Sequence, residues 1–139
     1  MTKMHVQAQV LENLHLKLTV DGHDYELDHD LPDSSYQPQA TTPGGALLVG
    51  LAGCKLMVAQ TYLRGRKIEG VDVSLELEAD FERDDQGQRK LQADVKLNIE
   101  GDLTDKQREN LQRYVESQCA VEQILLSDSN QIQTHYKFN

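Results

Sequence analysis

The chain has 139 residues and a formal net charge of −9, with 38% hydrophobic residues, 5% aromatic residues and no Trp. Its length points to one domain, 1–139, able to bury a core. The charge argues against nucleic acid and anionic membrane surfaces as partners. The lean, aliphatic core is in keeping with a chain that completes its burial against a copy of itself. No early stretch has the basic, apolar, small-residue order of a secretory signal. The longest apolar run, 46–54, is about half of what spans a bilayer. These features predict a soluble, cytoplasmic protein, where thiols stay reduced. Its two cysteines, Cys54 and Cys119, are then expected to be buried, metal-bound or reactive rather than a permanent staple.

The first third reads as β-structure. Val6, Ala8 and Val10 alternate with polar residues, as do Leu14, Leu16, Leu18 and Val20. Asp21-Gly22 is a hairpin turn signal, and Tyr25 with Leu27 continues the return strand. Pro32, Asp33, Ser34, Ser35 and Pro38 mark a loop over 31–40. A helix is expected from Thr42 to about Arg64, with Thr42 as cap and Pro43 in the first helical position. It is apolar on nearly every side except at Lys55, which predicts burial in the middle of the fold or at a subunit interface. Gly45, Gly50 and Gly53 each weaken a helix by about 1 kcal/mol relative to Ala, so close packing against the backbone is expected there.

Val71, Val73, Leu75, Leu77, Ala79 and Phe81 then alternate with polar residues, the pattern of a strand with one wet face. Asp84 to Gly87 turns the chain, and Leu91, Ala93, Val95, Leu97 and Ile99 run back. Thr104 with Gln107 forms a capping box for a second helix carrying Leu111, Tyr114 and Val115 on one stripe. Cys119 falls where that stripe ends. Val121, Ile124 and Leu125 suggest a short third helix. Ile132, Thr134, Tyr136 and Phe138 suggest a last strand, a third partner for the long hairpin. Antiparallel strands with helices between them give the class α+β.

A thiol reacts as its thiolate. Apolar burial would silence Cys54 unless the fold supplies a cation or hydrogen-bond donors. Lys55 is the next residue but points about 100° away around a helix, so it is not an obvious partner. Cys119 at a helix start could feel a positive helix end. From the residues alone, two inert core cysteines and a functional pair both stand.

The run Thr42-Pro43-Gly44-Gly45-Ala46-Leu47-Leu48-Val49-Gly50-Leu51-Ala52-Gly53-Cys54, continued by Lys55-Leu56-Met57, resembles the central-helix motif of the OsmC/Ohr family. These are osmotically inducible and organic hydroperoxide resistance proteins, small bacterial thiol peroxidases and their relatives. Gly70-Val71-Asp72-Val73, Gly101-Asp102-Leu103-Thr104 and Cys119-Ala120-Val121-Glu122 extend the resemblance over roughly residues 40–139. The resemblance implies an OsmC-like fold, antiparallel sheets around a buried central helix, in an intertwined homodimer. It also implies that Cys54 is the peroxidatic and Cys119 the resolving cysteine, with an organic hydroperoxide as substrate and a dithiol reductant. No cofactor and no metal are implied. The family's usual glutamate falls at Gly44, no arginine precedes Arg64, and the usual Cys-Pro is Cys119-Ala120. Without that glutamate and arginine, Cys54 is expected to stay protonated. A non-catalytic dimer, redox-sensing or binding a small apolar ligand, is the alternative.

The remaining candidates read as ordinary surface. Asp21, His23, Asp24, Asp28, His29 and Asp30 fit a solvated acidic turn better than a metal site, since no known ligand spacing appears. His15 and His135 read as surface or edge residues. Arg64, Arg66 and Lys67 complement a helix C-terminus. Glu116 and Glu122 are expected to face solvent.

Overall fold

The computed structural model describes residues 3–32 and 34–138. Over these described residues the chain is α+β with antiparallel sheets and three helices. Its contacts divide the chain into two compact units, Met1–Val49 and Gly50–Asn139.

In the first unit, β1 (Val6–Glu12), β2 (His15–Val20) and β3 (His23–Leu27) form an antiparallel meander. Val20 pairs with His23 across Asp21-Gly22. Both turn residues have positive φ, 46° and 85°, the backbone twist that matches the flanking strands. The following loop is anchored by Asp28, which is 1% exposed. Its carboxylate accepts from the backbone N–H of His29 and Gln39, at 2.8 and 3.0 Å, and from the Tyr36 hydroxyl. These donors hold Asp28 below the usual carboxylate range against the opposing effect of burial, while Tyr36, donating to a carboxylate, is pushed up to about 12. Asp28 is therefore a structural anchor rather than part of a solvated acidic turn. The loop runs where the sequence indicates, although Asp33 lies outside the described residues.

Helix α1 (Pro43–Gly65) starts as its sequence predicts: the Gly45 N–H donates to Thr42 Oγ1 at 3.0 Å. It is long and apolar enough to cross a membrane by length and composition, unlike the short run read from the sequence, and 28% of its most apolar stretch is buried. The expectation of burial on all sides therefore fails within one chain. Leu51, Lys55, Ala59 and Leu63, at four-residue steps, face inward. Val49 and Met57 face outward, Met57 being 73% exposed. The glycine expectation divides in the same way. A Cβ on Gly45 would collide with Thr41, whereas Gly50 and Gly53 have nothing within 4 Å.

In the second unit, β4 (Asp72–Arg83) and β5 (Arg89–Glu100) form the long hairpin in continuous register from Asp72↔Glu100 to Arg83↔Arg89. Alternate β4 residues Val73, Leu75, Leu77 and Ala79 are half-buried and their neighbours exposed. Helix α2 (Asp105–Gln118) carries the full capping box, Thr104 and Gln107 each receiving the other's N–H. Ala59, Tyr62 and Leu63 of α1 pack on Leu111 and Val115 of α2, with Val73 and Leu97 of the hairpin against them. Gly101 links β5 to α2 at φ 143°, where an added Cβ would lie 2.6 Å from the Gly70 carbonyl oxygen.

Helix α3 (Ala120–Leu126) follows at once. The expected last strand does not form: no strand is assigned over 128–138. Asn130 Nδ2 donates to the Ile124 carbonyl at 3.0 Å, closing off α3. Beyond it Ile132, Tyr136 and Phe138 are exposed, Phe138 at 92%. A strand needs a neighbour for its N–H and C=O groups, and this segment pairs with neither β4 nor β5.

Candidate functional site: a pair of thiols where three helices meet

Leu111, Val115 and Cys119 recur at four-residue steps and are all buried, Cys119 completely. The stripe that seats α2 thus ends by seating the thiol. Cys119 closes α2 and opens α3 with an extended backbone, φ −77° and ψ 98°. Cys54 lies on α1 one residue before the buried stripe position Lys55 and is half-buried. Both cysteines are free thiols.

The fold brings the two thiols together, and their environments push them in opposite directions. The Val121 backbone N–H holds the Cys54 thiol below its ordinary value, opposed by burial and assisted by the Cys119 thiol, the Ala120 N–H and Lys55. Burial pushes Cys119 up; the Glu122 N–H opposes this, while its hydrogen bond to Cys54 adds to it. Of the two, Cys54 is thus the one favoured to ionise and Cys119 the one favoured to keep its proton. A hydrogen bond to the charged form favours that form, so donors from α3 replace the cation that the sequence lacks. The expectation that burial alone sets the Cys54 thiol does not hold: burial raises it, but these donors outweigh that effect and lower it.

Two expectations about neighbours also change. Lys55 is buried at 8% exposure and its Nζ lies 3.2 Å from Glu122 Oε1. Glu122 is half-buried rather than solvent-facing. Glu116 is exposed and lines a cavity of about 470 Å³ walled by Val95, Leu97, Leu111 and Val115, with Lys55 at its edge.

The family model described as OsmC-like protein matches residues 36–135. The chain belongs to the OsmC-like family. Solved structures share this OsmC-like fold. An OsmC-like protein from Mycoplasma pneumoniae has a TM-score of 0.70 at 19% identity, over 92% of this chain and 90% of that one. An organic hydroperoxide resistance protein OsmC from Legionella pneumophila has a TM-score of 0.68 at 19% identity, covering 91% of each chain. The organic hydroperoxide resistance protein OhrB of Bacillus subtilis has a TM-score of 0.66 at 18% identity, over 91% of this chain and 93% of that one. No curated protein sequence matches the chain.

Sequence reasoning singled out both of the cysteines that the structure brings together. It missed Lys55 and Glu122, because rotation about one helix places Lys55 away from Cys54 and says nothing of what α3 brings to meet it. One signal was legible: Lys55 shares the four-residue spacing of Leu51, Ala59 and Leu63, a charge on an inward stripe.

Proposed function

We propose that this protein is a thiol-dependent peroxidase that reduces organic hydroperoxides through Cys54 and Cys119. The observation that carries the reading is the thiol pair itself, one sulfur biased towards thiolate and its neighbour towards thiol. The Cys54 thiolate attacks the terminal oxygen of the hydroperoxide. The O–O bond breaks, the alkoxide leaves and takes a proton as the alcohol, and Cys54 becomes a sulfenic acid. The Cys119 sulfur then displaces that hydroxyl, which leaves as water with the Cys119 proton, and a Cys54–Cys119 disulfide forms. A dithiol reductant restores both thiols by exchange. Support comes also from the family and from similar structures named as organic hydroperoxide resistance proteins.

A homodimer belongs to the same reading. The outward apolar residues of α1, the open space over Gly50 and Gly53 and the exposed tail over 132–138 are surfaces that a second copy would cover. Light scattering of the purified chain should give twice the monomer mass.

The enzymatic test is turnover of cumene hydroperoxide with dithiothreitol. Wild type should turn over, Cys54→Ser should be inactive, and Cys119→Ser, treated with hydroperoxide before any reductant is added, should form no internal disulfide. Equal slow rates in wild type and Cys54→Ser would refute the reading. The cavity beside Lys55 favours the second reading, a redox-sensing or ligand-binding dimer. That reading predicts a small apolar molecule retained on purification and no catalytic turnover.

A further inference from the structure

Lys55 is the polar member of the inward stripe of α1, between Leu51 and Ala59. Burying a charge is costly unless it is paired, and replacing a buried pair by apolar residues is often neutral or stabilising. Packing therefore does not explain an ammonium at this position. Its surroundings offer another reason. Lys55 follows Cys54 directly, and its partner Glu122 sits in the first turn of α3. That turn also supplies the Ala120 and Val121 N–H groups to Cys54, and the Glu122 N–H to Cys119. The ion pair thus ties the donors around both sulfurs to the residue beside Cys54. Glu122 engages the ammonium at 3.2 Å, and an ammonium has three donors. The other charged groups at the cavity edge are Arg108 and Glu116 of α2, while β5 contributes the apolar Val95, Leu97 and Ile99.

We propose that Lys55 is a positioning residue of the thiol site: its ammonium, held by Glu122, supplies the positive charge beside which Cys54 ionises. This rests on Cys54 being the reacting thiol. The pair adds a positive charge to the α3 donors where no arginine precedes Arg64. It also fixes the first turn of α3, so the charge and the N–H donors arrive together.

The test is the rate of Cys54 alkylation by iodoacetamide across pH, read by mass spectrometry of the Cys54 peptide in intact, folded protein. Lys55→Met should slow alkylation at neutral pH severalfold and move the midpoint of the pH profile upward. Lys55→Arg, which keeps the charge, should stay within about twofold of wild type. At alkaline pH, where every variant is ionised, the rates should converge, which a merely unfolded protein would not show. Lys55→Met with Glu122→Gln removes the orphaned carboxylate and should still alkylate slowly. A Lys55→Met profile that overlays wild type overturns the proposal, whatever the peroxidase assay shows. A wild type with a low midpoint that does not reduce cumene hydroperoxide sinks the peroxidase reading and leaves Lys55's role standing.

Discussion

Replacing Leu111 by Ala tests the packing that carries Cys119. Leu111 is wholly buried in the cluster with Ala59, Tyr62, Leu63 and Val115. The change removes three carbons, which at about 0.8 kcal/mol each is about 2.4 kcal/mol of transfer free energy. A sealed, uncollapsed void would bring the total towards about 5 kcal/mol. Here Leu111 also borders the cavity of about 470 Å³, so the vacated space joins an existing void and only part of that further cost applies. The expected loss is about 3 kcal/mol, or roughly 10 °C in melting temperature for a chain of this size. Urea unfolding should show a lower midpoint at unchanged slope. Glu109→Ala, on the exposed side of α2, should stay within about 0.5 kcal/mol of wild type. Because Cys119 sits two turns along the same stripe, Leu111→Ala should also expose it to faster labelling. A loss below about 1 kcal/mol would refute the packing argument.

Thr104→Ala breaks the capping box of α2 and should lower stability by about 1 kcal/mol in urea unfolding, with Thr104→Ser restoring most of it. Gly101→Ala meets both a φ of 143° and the Gly70 carbonyl; thermal unfolding should show a loss of roughly 1–3 kcal/mol. Cys54 should alkylate with a pH midpoint below that of a free thiol, about 8.5, and Cys119 with one above it. A thiol depressed by folding contributes stability that is full above its unfolded value and lost as pH falls through its folded value. The raised Cys119 contributes stability below its unfolded value and loses it as pH rises through its folded value. Equal midpoints would contradict the opposed environments of the two sulfurs.

Much of the local structure was written in short-range chemistry. The Asp21-Gly22 turn, the Thr42 cap, the Thr104–Gln107 box and the alternation along β4 each depend on residues a few positions apart, so the sequence alone determined them. The cysteines were visible too, as two thiols each close to a helix end or apolar face. The last strand was not decided by its alternating pattern. Ile132 to Phe138 has the period of a strand, but strand formation needs a neighbouring edge, and nothing within the segment specifies one. The interior Asp28 shows the same limit: its donors arrive from Tyr36 and Gln39, across a loop whose path no local pattern sets.

The environment of Cys54 is the clearest division. Its sequence neighbours are apolar except Lys55, which rotation about the helix points away, so by themselves they argue for an inert thiol. Only tertiary structure brings the Val121 and Ala120 N–H groups and Cys119 to the Cys54 sulfur, and Glu122 to Lys55. A thiol's ionisation depends on charges and donors within a few ångströms in space, and here those come from α3, far along the chain. The sequence determined where the two thiols lie in the chain and what elements carry them; packing of α1 against α2 and α3 decided which thiol is shifted down and which up.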